Sequence, residues 1–145
     1  MSLLPRKALL AIAAVVDVAL HGRERPVSAK ALAARHGLPA RHLEPVLQSL
    51  VHAGILRGVR GPHGGYALGR ERRRIGLDDI LRAAANAHDR EDMAVASPLI
   101  AEIVAPAVAE AEQAFSTALS RINVDDLAQR AEAPKEGAAA AHFTI

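Results

Sequence analysis

Val59-Arg60-Gly61-Pro62-His63-Gly64-Gly65-Tyr66 decides how this chain of 145 residues is read. It follows directly on an amphipathic helix that ends at Gly54. A shorter helix lies before that one and stops in the turn Arg35-His36-Gly37-Leu38-Pro39. Helix, tight turn, helix, then a basic hairpin with a glycine-rich tip is the layout of a winged helix-turn-helix. The expected fold class is therefore mainly α with a small β-hairpin wing, its strands over residues 55–59 and 66–68.

The charge pattern agrees. Residues 1–74 hold 13 of the 18 Lys+Arg but 4 of the 16 Asp+Glu, a formal +9, whereas residues 75–145 carry −7. The net +2 conceals two halves of opposite sign, and the basic half coincides with the helix-turn-helix pattern, which suits a polyanionic partner. Half of the chain is apolar, yet the aromatics are only Tyr66, Phe115 and Phe143, so the core must be built from Leu, Val, Ile and Ala. The absence of cysteine excludes disulfides, thiol nucleophiles and thiolate-held metals or iron–sulfur clusters. It is also compatible with a cytoplasmic location. Arg6-Lys7 ahead of apolar residues 8–16 resembles the start of a secretion signal, but Asp17 interrupts the run. Pro5 and Gly22 bracket it as a helix, and a buried first helix over residues 5–21 is expected. A run this short cannot cross a bilayer, and no membrane partner is expected.

Ser28 is a good N-cap for a helix over residues 29–35, and Gly37 supplies its left-handed stop. Beyond Pro39, residues Leu43, Val46, Leu47, Leu50 and Val51 follow the i, i+3, i+4, i+7, i+8 pattern of a core face. The opposite face offers Arg41, His42, Glu44, Pro45, Gln48 and His52. Pro45 lies early enough in the helix for its missing amide to cost little. After the wing, Ile75-Gly76-Leu77-Asp78-Asp79-Ile80 has a near echo in Ile122-Asn123-Val124-Asp125-Asp126-Leu127. Each places two carboxylates at a helix N-terminus, where the helix dipole favours them. Ser97-Pro98 opens a long helical tract to about residue 121, with an apolar stripe from Ile100 to Ile122 and with Pro106 as a kink or as the start of the straight portion. No other helix in the chain matches its length, so pairing with its copy in a second subunit is the economical way to cover that stripe. Residues 133–145 are rich in alanine and read as a tail.

Several side chains are candidates for DNA contact. Arg41 can reach a phosphate or guanine, and Glu44 can accept from the N4 amino group of cytosine; a carboxylate facing phosphates is otherwise repelled, so Glu44 points to base selection. The bland alternative for Glu44 is an ion pair on a helix surface. His42 shares that face. Ser28 and Lys30 at the preceding helix start, with Arg6 and Lys7, are generic phosphate contacts. On the hairpin, Arg60 and His63 are the contact candidates, and Gly61, Gly64 and Gly65 permit a tight tip and close approach of the backbone. Residues 72–74, three arginines, read as a solvated face. Seven histidines raise the question of a metal, but neither HExxH nor another ligand spacing occurs, so no metal is expected. Nothing orders the serines, histidines and aspartates into a triad, and the glycines lie between two strands rather than before a helix; an enzyme is not expected.

His42-Leu43-Glu44, Gly54-Ile55-Leu56 and above all Val59-Arg60-Gly61-Pro62 with Gly64-Gly65-Tyr66 resemble the Rrf2 family of bacterial transcription regulators, which includes iron–sulfur and nitric-oxide sensors. Residues 75–80 and 122–127 match the same pattern, and the resemblance covers about residues 3–131. It implies a dimeric winged-helix regulator paired through the long C-terminal helix, with Arg60 reaching from the wing into a minor groove. Cluster-binding members carry three cysteines between the fourth helix and the dimerisation helix. This chain has none over residues 86–98, so that sensing chemistry does not transfer. A cysteine-free branch responds to partner proteins, small molecules or signals not identified.

The expected organisation is a winged helix-turn-helix over residues 1–84, a connecting and sensing loop over 85–97, the dimerisation helix and a short helix over 98–132, and the tail. The expected function is a homodimeric, sequence-specific repressor on a palindromic operator of double-stranded DNA, without an iron–sulfur cluster or other cofactor and with room for a small-molecule or protein effector. The rival is a protein-interaction module that uses the same fold to dock an acidic partner.

Overall fold

The centre of the molecule is α1 (Arg6–His21), in a computed structural model that describes residues 4–85 and 97–133. Ala8, Ala11, Ala14, Val15, Val18 and Ala19 of α1 are buried. Their spacing keeps them on one broad stripe, and the alanines let neighbouring backbones come close. The helix-turn-helix follows as α2 (Ala29–His36) and α3 (Ala40–His52). The Ser28 hydroxyl caps α2 by accepting from the Ala31 amide at 3.0 Å. Gly37 ends it at φ 62°, a left-handed conformation that side chains with a Cβ rarely adopt. Leu43, Val46, Leu47 and Leu50 of α3 enter the core as the periodicity requires, while Val51 is half-buried. Pro45 lies inside α3 without ending it.

The wing is β1 (Leu56–Val59) paired antiparallel with β2 (Gly65–Leu68), in a register that places Leu56 opposite Leu68 and Val59 opposite Gly65. Ile55 stays outside β1, fully buried beneath the turn. A third segment joins this sheet. Val27 and Tyr66 exchange both backbone hydrogen bonds at 2.8 Å, which fastens the wing to the stretch before α2. That approach depends on Gly65, where a Cβ would collide with the Val27 carbonyl.

The repeated helix starts meet each other. α4 (Leu77–Ala84) and α6 (Val124–Glu132) begin side by side, with the Leu77 amide donating to Ile122 and the Val124 amide to Ile75, both at 2.9 Å. Asp79 and Asp126 each reach back to accept from the amide of the residue preceding their helix, Gly76 and Asn123, at 3.0 Å. Asn123 completes a reciprocal cap by accepting from the Asp126 amide; Gly76 has no side chain with which to do so. The basic run behind them departs from the expected solvated face. Arg72 is largely buried and pairs with Asp125 at 2.9 Å and Glu132 at 3.6 Å, so it ties the end of the wing to α6. Arg73 and Arg74 remain exposed.

Between α4 and α6 runs α5 (Ala105–Ser120), entered through a π-helical turn over Ile100–Val104. Pro106 sits in the first turn of α5, where its missing amide is tolerated, and the wider turn just before it absorbs the irregularity. Regular α-helix therefore begins at Ala105, beside Pro106. Of the stripe along this tract, Leu119 is buried and Phe115 half-buried, but Leu99, Ile100, Ile103, Val104 and Val108 are exposed. The body of the connecting loop and the tail, including Phe143 and Ile145, lie outside the described residues.

One charged residue enters the core. Asp17 is 6 % exposed and accepts from Arg35 Nε at 2.9 Å and Nη2 at 2.7 Å, and from His36 Nε2 at 3.0 Å. Burial pushes its carboxyl up, but the Arg35 hydrogen bonds and charge, with the help of His36 and His21, outweigh that and hold it below its ordinary 3.8. The stabilisation is therefore complete above about pH 4, where the unfolded carboxyl is also ionised, and is lost as pH falls through the depressed folded value. Asp17→Asn should lower stability at pH 7 by about 1.5–3 kcal/mol, the range for hydrogen bonds to charged groups. Below pH 4 the variant and the wild type should converge, as read by urea unfolding across pH.

Candidate nucleic-acid interface

The candidate contacts fall on two adjoining projections, the outer face of α3 and the wing tip. Leucine and valine claim one side of α3, which leaves Arg41, His42 and Glu44 exposed on the other. None of these three side chains has a hydrogen bond or ion pair with the protein among the described residues. The surface ion pair that could have explained Glu44 is therefore absent there, and its carboxylate is free to meet a ligand. Arg60 and His63 are exposed on the wing and equally unpaired. Lys30 projects from the first turn of α2 without a partner.

Two recesses flank these projections. One is lined by Arg6 and Lys7 of α1 together with Arg41 and His42, a cluster of basic side chains that lie far apart in sequence. The other lies between the start of α2 and the wing, and brings Ser28, His63 and Gly64 together. The structure thus brings Arg6, Lys7, Arg41 and His42 together in one recess and Ser28, His63 and Gly64 in another, while Lys30, Glu44 and Arg60 line neither. It also adds Arg25, His21 and Arg35, which sequence reasoning passed over. Arg25 sits in a connection without periodicity, His21 is the last residue of α1, and Arg35 was read as the end of the α2 helix and the start of its turn. The one available signal was Asp17, a lone carboxylate in an otherwise apolar helix that had to find a cation. At Gly64 a Cβ would strike the Val59 carbonyl of its own hairpin, so the tight tip requires glycine there, as expected.

Residues 4–130 match the family model Rrf2, described as an iron-dependent transcriptional regulator. The chain belongs to the Rrf2 family. Rrf2 proteins are transcriptional regulators rather than enzymes. Among curated relatives, the HTH-type transcriptional regulator IscR of Xenorhabdus nematophila is 39% identical over 80 residues, covering 55% of this chain and 49% of that protein. Protein rrf2 of Nitratidesulfovibrio vulgaris is 38% identical over 69 residues, 48% of this chain and 46% of its own. The chain spans about half the length of the curated relatives it matches. Among solved structures, T. potens IscR superposes with a TM-score of 0.70 at 29% identity, over 88% of this chain and 87% of that one. CymR, the global cysteine regulator of B. subtilis, gives 0.69 at 26% identity, over 90% and 98%. The helical fold with its two-stranded wing is that of these Rrf2 regulators.

The chain has no cysteine, and no three His, Asp or Glu side chains converge among the described residues. His88, Asp89, Glu91 and Asp92 lie outside them.

Because the wing is fastened at Val27, its position is open to a simple test. Gly65→Ala forces the Val27 carbonyl away and should cost about 1–3 kcal/mol, the usual range for overpacking. Helical circular dichroism at low temperature should stay unchanged while thermal unfolding moves to lower temperature.

Proposed function

We propose that this Rrf2 protein is a sequence-specific DNA-binding transcription repressor that acts in the cytoplasm as a homodimer on a palindromic operator. The observation that carries this reading is the set of unpartnered polar side chains on α3 and the wing, Arg41, His42, Glu44, Arg60 and His63, borne by a half of the chain with a formal +9. Arg41 and Glu44 would meet base edges in a major groove, and Arg60 would enter the neighbouring minor groove, where a narrow groove concentrates negative potential. Ser28 and Lys30 would contact phosphates.

The dimer reading rests on the exposed apolar stretch of residues 99–108. Five large side chains there face outward over about three turns, more than an isolated surface usually leaves to water. Pairing with the same stretch of a second copy covers both and spaces two recognition helices on one face of the DNA. For sensing, the lack of thiolates favours control without an iron–sulfur cluster. We place that control in the connecting loop of residues 85–97, through a small molecule or a partner protein that prefers one spacing of the two recognition helices.

Selection of bound sequences from random DNA supplies the operator for the tests. Arg60→Ala should weaken binding most at sites with narrow A·T-rich minor grooves. Glu44→Ala should relax base preference at one position, by about 1–3 kcal/mol, while leaving or improving overall affinity. Equal loss on every sequence after Glu44→Ala would remove the base-selection role, and partner binding without any DNA affinity would favour the protein-interaction reading. Ile103→Glu or Val108→Glu should convert a dimer to monomers in sedimentation velocity and abolish operator binding together.

A further inference from the structure

The cleft between the start of α2 and the wing has a volume of about 340 Å³ and holds more positive charge than the contacts assigned above use. Its walls include His21, Arg25, Ser28, Arg35, His63 and Gly64. Arg25 is exposed and has no protein partner among the described residues. Arg35 is held from behind. Buried Asp17 takes its Nε and Nη2 in a side-on pair at 2.9 and 2.7 Å, which leaves Nη1 without a protein acceptor. A planar guanidinium fixed along one edge presents its remaining hydrogens in a set direction, the geometry that suits a phosphate. Ser28 adds a donor. Its oxygen accepts from the Ala31 amide, and the hydroxyl hydrogen remains for a ligand.

The acidic groups nearby do not cancel this. Asp17 lies behind Arg35 and is spent on Arg35 and His36. Glu24 is exposed and lies outside the lining of the cleft. The location matters equally. With α3 in a major groove and the wing in the adjacent minor groove, one sugar-phosphate strand must pass between them, and this recess faces both the helix-turn-helix and the wing tip.

We propose that the cleft is a phosphate subsite in which Arg35, positioned by Asp17, acts with Arg25 and the Ser28 hydroxyl to grip one phosphodiester where the DNA backbone crosses from major to minor groove. This rests on the DNA-binding reading. His21 and His63 border the same group as hydrogen-bond donors. Asp17 is a positioning residue that never meets the DNA.

The test uses the full chain and the operator obtained by selection, with single neutral methylphosphonates placed in turn along each strand. Wild-type protein should lose roughly tenfold in affinity at one position per half-site, the scale of a charge-assisted hydrogen bond. Arg25→Ala, which removes an exposed and unpaired side chain, should weaken binding on all sequences alike. It should also reduce the salt slope by about one unit and shrink the methylphosphonate effect at that one position and no other. Asp17→Asn should separate positioning from charge: affinity falls while the salt slope stays, because the Arg35 guanidinium remains cationic. Binding of wild type with no position coupled to Arg25 would overturn the subsite and leave the DNA reading standing. Failure of wild type to bind any duplex would overturn both. A free phosphorylated ligand as the true occupant would show as millimolar inorganic phosphate shifting the His21 and His63 ring resonances of DNA-free protein, again with no coupled methylphosphonate, and would overturn the proposal.

Discussion

Everything in this molecule is arranged around a helix that has almost no polar side chains to spare. α1 packs against α3, α4, α6 and the second wing strand, and it can do so because alanine occupies the closest positions of its buried face. Small residues let four elements crowd one helix, and crowding excludes water from the single carboxylate that the helix carries. Asp17 is consequently buried, and a buried carboxylate without partners would be costly. Arg35 and His36 supply those partners from the end of α2. One packing constraint thereby sets the position of the helix-turn-helix relative to the core, and the direction of an arginine beside the wing.

A second constraint links the two halves of opposite charge. The wing is followed by arginines, and the C-terminal helix begins with aspartates. Arg72 and Asp125 meet in a nearly dry setting, with Glu132 behind them. Their attraction accompanies the backbone pairing of the two helix starts, so the basic half is joined to the C-terminal helices through hydrogen bonds and charge together. A shift of α5 relative to its surroundings would be felt at this junction.

The wing shows how little sequence is needed for a projecting contact when the backbone is well fastened. Four residues on each strand would make a marginal hairpin alone. Val27 adds a third segment, and Gly65 allows it in. The exposed tip residues Arg60 and His63 therefore extend from a supported base, which reduces the ordering that binding would require.

Local chemistry written in the sequence was enough for the helix-turn-helix, the wing and the family. Capping by Ser28, the left-handed stop at Gly37, the apolar face of α3 and the glycine-rich hairpin each act within a few residues, so they are legible without knowing what lies across the core. The polar face of α3 and the charge of the wing were legible for the same reason, because exposure there follows from periodicity. Arg72, Arg35 and Arg25 were not. Their roles depend on groups far away along the chain: Asp125 and Glu132 for Arg72, Asp17 for Arg35, and the opposing wing for the cleft at Arg25. An arginine in sequence looks solvated because the cost of burying it is local, whereas the carboxylate that offsets the cost is brought to it only when the chain folds. The repeated helix starts make the same point: the sequence held both copies, but only the folded chain could place them against each other, since backbone pairing over that distance depends on the path between them.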